Sequence, residues 1–240
     1  MAALIASAMS PASLPDDPIH DAATRIAAVR NAIIRSTTLI TGKPQNVTLV
    51  AVSKTHGIAD ITPLIAAGQR SFGENRVQEA QEKWPALREA TPDIELHLVG
   101  QLQSNKAADA VALFDVIHSL DRPSLLTALA KAMNGTGRQL PCFVQVNIGM
   151  EEQKGGCRIA DVPALIKQAR DADVPVIGLM CVPPADVEPA PYFALLGKMA
   201  REEGLASLSM GMSGDYETAI MLGATHVRVG TALFGGRPKA

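Results

Sequence analysis

The segment Leu49-Val50-Ala51-Val52-Ser53-Lys54-Thr55 contains the residues on which fold and chemistry both depend. Its β-branched and small apolar side chains predict a buried strand, which ends at a lysine just before a helical pattern. Burial lowers the pKa of an ammonium group, so a lysine at the end of a buried strand can become a nucleophile. A lone lysine there more often extends its stem and keeps its charge in water. The rest of the chain must distinguish between these two interpretations of Lys54.

The composition excludes several classes of partner. The 240 residues carry 22 basic and 24 acidic side chains, a net charge of −2, and 47% of them are hydrophobic. The small net charge and the few aromatic residues argue against nucleic acid as a partner. No apolar run reaches the roughly 18 residues that span a bilayer, so we expect no membrane association. The three cysteines form neither a metal motif nor a disulfide framework, which predicts a cytoplasmic protein without a metal.

The beginning of the chain differs from the remainder. Residues 1–18 contain no basic residue that would begin a secretory signal, and their Ser, Pro and Ala content predicts a loose terminus. No linker of low complexity and no short repeat interrupts residues 19–240. We therefore expect one folded domain over 19–240.

From Thr48 onward, strand and helix patterns alternate. The predicted strands are Thr48–Ser53, Arg70–Gly73, Ile94–Val99, Val116–Ser119, Cys142–Ile148, Val176–Cys181, Ser207–Ser209 and Val227–Gly230. Helical patterns, among them Glu74–Glu89, separate the strands, and an extra helix precedes the first strand. Eight strands in a chain of this length favour an α/β fold of the single (β/α)₈ TIM-barrel type over a doubly wound open sheet. We expect the extra N-terminal helix to cover the amino-terminal face of the barrel.

Two glycine-rich turns follow the last two predicted strands. They are Ser209-Met210-Gly211-Met212-Ser213-Gly214-Asp215 and Val227-Arg228-Val229-Gly230-Thr231. Glycines allow close backbone approach, hydroxyls donate hydrogen bonds, and TIM barrels frequently hold a phosphate after strands seven and eight. Ordinary turns with Ser213 or Asp215 as a helix cap explain the same pattern equally well. Both interpretations remain open from the sequence.

Arg228 lies inside the last predicted strand, where a cation is costly unless it has a partner. That partner is either an acidic residue of the protein or a heteroatom of a ligand. A lysine that can form an imine, a phosphate cradle and an arginine for a pyridine nitrogen are together what pyridoxal 5'-phosphate (PLP) requires.

Blocks spread over residues 20–237 resemble the pyridoxal phosphate homeostasis protein family. They are Val50-Ala51-Val52-Ser53-Lys54, Phe72-Gly73-Glu74-Asn75, His97-Leu98-Val99-Gly100-Gln101-Leu102-Gln103-Ser104-Asn105-Lys106, Val146-Asn147-Ile148 with Glu151, Lys154 and Gly156, Gly178-Leu179-Met180, Leu208-Ser209-Met210-Gly211-Met212-Ser213 with Asp215, and Arg228-Val229-Gly230-Thr231 with Phe234-Gly235. The block that begins at His97 and the Ser-Met-Gly-Met-Ser block are the most specific of these.

This resemblance implies a single barrel similar to the N-terminal domain of alanine racemase. It implies that PLP is bound as an internal aldimine, a Schiff base, on Lys54. Ser213, Gly230 and Thr231 would hold the phosphate of the cofactor.

The resemblance also implies the residues around the ring of PLP. Arg228 would face the pyridine nitrogen, and Asn75 and Met210 would line the ring. Lys106 and Lys154, in loops at the same rim, are candidates for a transient role in holding or releasing the cofactor.

The function implied by the family is intracellular PLP homeostasis, in which the protein buffers PLP or delivers it to apo enzymes that use PLP. The alternative is an amino-acid racemase with weak activity, which needs acid–base groups on both faces of the ring. In alanine racemases the second group is a tyrosine from a β-domain after the barrel, whereas this chain stops at Ala240 and Tyr192 and Tyr216 fall in helical patterns. We therefore expect a binding protein without catalytic residues, and a monomer. A purely structural protein that never binds PLP is the third possibility.

Overall fold

The computed structural model describes residues 18–235, in which eight parallel strands close into a barrel. Each strand pairs with the next one in the chain, and the last strand pairs with the first. The strands are β1 Thr48–Val52, β2 Ser71–Glu74, β3 Glu95–Leu98, β4 Val116–Leu120, β5 Cys142–Val146, β6 Val176–Cys181, β7 Ser207–Ser209 and β8 His226–Val229. The predicted (β/α)₈ barrel is confirmed.

Helices follow the strands in alternation. The α-helices of the described residues are α1 Pro18–Thr41, α2 Ile58–Ala66, α3 Val77–Ala90, α4 Ala107–Leu113, α5 Pro123–Thr136, α6 Val162–Asp171, α7 Ala190–Glu202, α8 Tyr216–Met221 and α9 Thr231–Phe234. The segment 1–18 that we expected to be loose lies, apart from Pro18, outside the described residues, and so do the last five residues of the expected domain 19–240.

The boundary between β2 and α3 differs from the prediction. Glu74 is the last residue of β2, paired with Leu98 of β3, and α3 begins only at Val77. The helical pattern from Glu74 was wrong at its start because Glu74 is fully buried and hydrogen bonded, which composition alone does not reveal.

The N-terminal helix α1 occupies the outer ring of helices. It packs against α2, α8 and α9, and buries Ala22, Ile26, Val29 and Ile33. Only the four-residue α9 follows β8 in the described part of the chain, so the outside of the β8–β1 pair would otherwise lack a full helix. The expectation that α1 covers the amino-terminal face is corrected: α1 fills the last position of the ring, since its apolar side needs an apolar surface.

The core has two layers, one between strands and helices and one inside the barrel. The layer between strands and helices contains large apolar side chains such as Phe72, whose ring contacts that of Trp84 on α3 at a centroid distance of 5.0 Å. The interior is more polar than in a barrel filled with aliphatic residues, because His97, His118 and Ser209 are fully buried there. Within residues 18–235, no helix is both long and apolar enough to span a bilayer.

Candidate functional site

A cavity of about 440 Å³ opens at the carboxyl-terminal end of the barrel. Its walls come from the loops after β1, β2, β3, β6, β7 and β8. The predicted site residues that line it are Lys54, Asn75, Ser213, Arg228, Gly230 and Thr231. The closed parallel barrel brings these residues together because all its strands end at one face.

Met210, the seventh predicted residue, does not line this cavity. It follows β7 and is fully buried in the core, whereas Met212, two residues on, forms part of the cavity wall. His56, Val99 and Val182 also line the cavity and were not singled out from the sequence. Their positions in the loops after β1, β3 and β6 were the available signal, since residues there face the loop end of a barrel.

Lys54 lies two residues after β1 and is half-buried in the cavity wall. Among the described residues, no hydrogen bond or ion pair engages its ammonium group. The next residue, Thr55, has a positive φ of +67°, which is an outlier for a β-branched residue. Such strain persists only where the surroundings fix the backbone.

Two side chains of α3 fix this loop from below. The backbone N–H of Thr55 donates to Oε1 of Glu79 at 2.6 Å, and Nζ of Lys83 lies 2.9 Å from the same oxygen. Lys83 also donates to the carbonyl oxygens of Ser53 and His56, each at 3.1 Å. Burial tends to raise the pKa of Glu79, but the hydrogen bonds from Lys83 and Thr55 outweigh it and hold that pKa below its ordinary value. Lys54 is thereby presented from a rigid turn.

Glu74 joins this support from the end of β2. Its Oε1 lies 2.7 Å from Nζ of Lys83 and accepts hydrogen bonds from Oγ of Ser53 at 2.7 Å and Nε1 of Trp84 at 3.1 Å. Sequence reasoning missed this group. The available signal was Lys83 itself, a cation on the apolar side of α3 between Ala80 and Leu87.

On the opposite wall, Ser213 bridges the turns after β7 and β8. Its Oγ accepts hydrogen bonds from the backbone N–H groups of Gly230 at 3.2 Å and Ala232 at 3.5 Å, so it does not cap α8. A Cβ at Gly230 would stand 3.3 Å from the carbonyl oxygen of Val52, which leaves little room for a side chain there. The two turns therefore border the cavity with a serine hydroxyl group and with a glycine-containing backbone that a ligand can approach closely. An anion-binding site requires both features.

The turn after β7 depends on one glycine. Gly211 has a positive φ of +90°, and a Cβ there would stand 2.6 Å from Cβ of Ala219. Glycine alone fits this backbone without strain, which explains its place in the Ser-Met-Gly-Met-Ser block.

Arg228 of β8 is 5% exposed and lines the same cavity. Its Nη1 donates to Oγ of Ser209 at 2.6 Å and its Nη2 donates to the carbonyl oxygen of Cys181 at 2.8 Å. Burial lowers its pKa from the ordinary value. No carboxylate of residues 18–235 forms an ion pair with Arg228, so an acidic partner does not explain its burial.

The two other rim lysines are engaged within the protein and do not line the cavity. Nζ of Lys154 lies 2.7 Å from Oε2 of Glu151 and donates to the carbonyl oxygen of Pro183 at 2.9 Å. Nζ of Lys106 lies 3.3 Å from Oδ2 of Asp109. Within the described part of the chain, no group of three or more His, Cys, Asp or Glu side chains is arranged to hold a metal ion.

Comparisons with known proteins agree with this geometry. The family model of the alanine racemase N-terminal domain matches residues 27–238. The chain is 37% identical over 231 residues to the pyridoxal phosphate homeostasis protein of Escherichia coli K12, covering 91% of this chain and 98% of that protein. It is 39% identical over 200 residues to the protein of the same name from Pseudomonas aeruginosa PAO1, covering 81% and 86%.

Solved structures give the same result. The structure of PipY from Synechococcus elongatus PCC7942 with PLP bound superposes with a TM-score of 0.78 at 38% identity, covering 89% of this chain and all of that one. An alanine racemase from Clostridium difficile 630 shares the fold at a TM-score of 0.71 and 14% identity, with 92% of this chain and 57% of that chain covered. The chain belongs to the pyridoxal phosphate homeostasis protein family, which is built on the fold of the alanine racemase N-terminal domain.

Proposed function

We propose that this protein binds PLP for intracellular PLP homeostasis, holding the cofactor covalently through Lys54 and buffering or delivering it. The observation that carries this proposal is the position of Lys54 in a cavity that Ser213, Gly230 and Arg228 also line. Family membership supports it, because relatives carry the name pyridoxal phosphate homeostasis protein and PipY has been solved with PLP bound.

The donor set of the cavity fits PLP. When bound, PLP supplies an aldehyde that condenses with a lysine amine and a pyridine ring that can withdraw electrons. Lys54 offers an amine without an internal partner among the described residues, and the loop held by Lys83 keeps this amine at the rim. The turns that carry Ser213, Gly230 and Thr231 suit the phosphate.

Arg228 would act on the ring of PLP. Arg228 donates N–H groups and, as an arginine, remains protonated, so toward the pyridine nitrogen it is a hydrogen-bond donor and not a proton source. It thereby weakens the ring as an electron sink. Asn75 contributes to the cavity wall, while Met210 supports the site from the core beneath the turn after β7.

The cavity supports binding better than turnover. Racemisation needs acid–base groups on both faces of the ring, and the side chains lining the described cavity that could serve are Lys54 and His56. His56 belongs to the same loop as Lys54, and its ring is stacked on Phe234 at a centroid distance of 4.3 Å. Because His56 does line the cavity, a weak amino-acid racemase is the second candidate function.

The proposal also covers the compartment, the oligomeric state and the partners of the protein. We assign it to the cytoplasm as a monomer that passes PLP to apo enzymes. The buried, unpaired thiols of Cys142, Cys157 and Cys181 support a reducing compartment. Sedimentation of the purified protein tests the monomer, and reactivation of an added apo enzyme by the loaded protein tests delivery.

Borohydride trapping tests the covalent link. The wild type is incubated with PLP, its visible spectrum is recorded, and the complex is reduced and mapped by mass spectrometry. We expect a yellow band and a pyridoxyl label on Lys54, both lost in Lys54→Ala and both kept in Lys43→Ala, a control at an exposed lysine after α1. Equal labelling of Lys54→Ala and the wild type would overturn the proposal.

A turnover assay separates the two candidate functions. The loaded protein is incubated with L-alanine and with L-serine, and the D-isomers are measured. We expect at most slow racemisation. Rapid racemisation that depends on both Lys54 and His56 would favour the enzyme instead.

A further inference from the structure

A continuous chain of hydrogen bonds crosses the barrel interior from its amino-terminal end to the cavity. Oε2 of Glu95, the first residue of β3, lies 3.0 Å from Nε2 of His97, and Nδ1 of His97 lies 2.9 Å from Nε2 of His118. Nδ1 of His118 lies 2.8 Å from Oγ of Ser209, which accepts from Nη1 of Arg228 at 2.6 Å. The three middle residues are fully buried, whereas the side chain of Glu95 is 48% exposed.

The two ends of this chain fix the direction of its first and last hydrogen bonds and leave two arrangements for the hydrogen bonds between them. Arginine can only donate, and an ionised carboxylate can only accept. In the first arrangement Arg228 donates to Ser209, whose own proton goes to Nδ1 of His118. His118 then donates from Nε2 to His97, and His97 donates from Nε2 to Glu95. Each group is satisfied, with both histidines neutral and protonated on Nε2.

The opposite proton arrangement is less favourable. A second proton on His97 would make it donate to His118, which would then donate to Ser209. The hydroxyl proton of Ser209 would lose its acceptor, because Nδ1 of His118 would itself carry a proton and could no longer accept. A buried donor without an acceptor is costly, and the barrel interior would hold two cations.

The charged and titratable groups around the chain agree with the first arrangement. The hydrogen bond with His97 holds the pKa of Glu95 below its ordinary value, and burial, together with His97, Arg228 and His226, holds the pKa of His118 well below its own. His226 of β8 faces both histidine rings, at centroid distances of 6.3 Å and 5.9 Å. Burial and the same neighbours lower its pKa to about 4, so it is neutral as well. From β6, Cys181 offers Arg228 a carbonyl oxygen and a buried thiol. Asp215, in the turn after β7, is a nearby carboxylate whose charge acts to raise the pKa of Arg228 against the effect of burial.

We propose that Ser209, His118, His97 and Glu95 are positioning residues that fix the Arg228 guanidinium through one polarised chain, which ends on a carboxylate at the opposite end of the barrel. The inference rests on the proposed function, in which Arg228 faces the pyridine nitrogen of PLP. Its consequence is that a carboxylate at the far mouth of the barrel sets how firmly Arg228 holds the cofactor.

Nitrogen-15 NMR of the protein without cofactor tests the chain directly. We expect the imidazoles of His97 and His118 to be neutral with the proton on Nε2, assigned by the loss of signals in His97→Gln and His118→Gln. A doubly protonated His97, or a proton on Nδ1 of either ring, would overturn the proposal. Because no PLP is present, this result stands even if the protein proves not to bind PLP.

Release of PLP tests the effect on Arg228. Ser209→Ala is expected to speed cofactor dissociation about tenfold, and Glu95→Gln about threefold with a shift of the visible band, since each weakens a charge-assisted hydrogen bond. Asp93→Asn, at an exposed carboxylate paired with Arg70 near the same mouth, is the control and should match the wild type. Thermal unfolding checks that each variant is folded. If Ser209→Ala does not fold, Glu95→Gln still tests the proposal, because Glu95 is half-exposed and its substitution leaves the core intact.

A double-mutant cycle distinguishes positioning from a general structural effect. In an Arg228→Gln background, Glu95→Gln should change neither the dissociation rate nor the band further, because it acts through Arg228. The proposal would be wrong if Glu95→Gln changed the dissociation rate in the Arg228→Gln background as much as it does in the wild type. It would also be wrong if Glu95→Gln and Asp93→Asn gave the same dissociation rate in the otherwise wild-type protein.

Discussion

Nζ of Lys83 lies 2.7 Å from Oε1 of Glu74 beneath the loop that carries Lys54. Both side chains are buried, Glu74 completely and Lys83 to all but 9%, and the lysine reaches from α3 to the end of β2. The pair links the helix and the strand that flank the candidate site. The ammonium group of Lys54, in the loop above, has no partner among the described residues. Lys83 thus supports the loop, while the Lys54 ammonium group lies in the cavity wall.

Removing Lys83 should therefore destabilise the fold. In Lys83→Met the carboxylate of Glu74 remains buried without its cation, which costs about 3–5 kcal/mol of the free energy of unfolding. Urea denaturation measures this loss. Lys167→Met, which breaks the exposed Lys167–Asp171 pair, is the control and should change the free energy by less than about 0.5 kcal/mol. A similar change in the free energy of unfolding for the two variants would show that the buried pair stabilises the fold no more than an exposed pair.

Gly100 should tolerate no side chain, because the loop after β3 touches the backbone of Asn75. A Cβ at Gly100 would stand 2.3 Å from the carbonyl oxygen and 2.6 Å from Cα of Asn75, so the backbone must move. Gly100→Ala should lower the free energy of unfolding by about 2 kcal/mol and weaken PLP binding, as measured by denaturation and by titration of the visible band. Gly135→Ala in α5, where nothing lies within 4 Å of the new Cβ, should instead stabilise by about 0.5–1 kcal/mol. Unchanged PLP affinity in Gly100→Ala would show that the position of Asn75 does not matter.

Ser213→Ala should weaken binding of PLP selectively. If the hydroxyl of Ser213 holds the phosphate, its loss should raise the dissociation constant for PLP about tenfold and leave that for pyridoxal, which lacks the phosphate, unchanged. Titrations followed by absorption compare the two ligands in the wild type, in Ser213→Ala and in Thr62→Ala, a control on the exposed side of α2. An equal rise of the dissociation constants for PLP and pyridoxal would show that Ser213 does not contact the phosphate.

Stability should fall in mild acid because of the buried histidines. Burial and the nearby His97 lower the pKa of His226 to about 4, whereas an unfolded histidine titrates near pH 6.5. Between these values the unfolded chain binds the additional proton, so the free energy of unfolding decreases as the pH falls from about 6.5 to about 4. The slope is at most about 1.4 kcal/mol per pH unit for this residue.

Urea unfolding at several values between about pH 7 and pH 4 measures this slope. The variant His226→Gln should show a shallower dependence, and His20→Gln, an exposed residue of α1, should match the wild type. A slope unaffected by His226→Gln would assign the acid sensitivity to other groups.

The sequence by itself determined the fold class and most of the candidate site. Alternating patterns and β-branched runs located eight strands, because a strand buried on both faces must be apolar throughout. Local chemistry then made Lys54 and the turns around Ser213 and Gly230 candidates, since these residues occupy strand ends and glycine-dependent turns, and the family resemblance supplied their expected roles. Strand patterns and glycine-dependent turns can be predicted because they depend on residues that are adjacent in the sequence.

Only the tertiary structure decided which distant groups support those residues. Lys83 lies 29 residues after Lys54 and still holds its loop, and the chain from Glu95 to Arg228 joins four different strands. Met210 and Met212 look alike in sequence, yet one is buried in the core and the other lines the cavity. The physical reason is that a buried polar side chain must find its partner in space, and closure of the barrel sets which strands face one another.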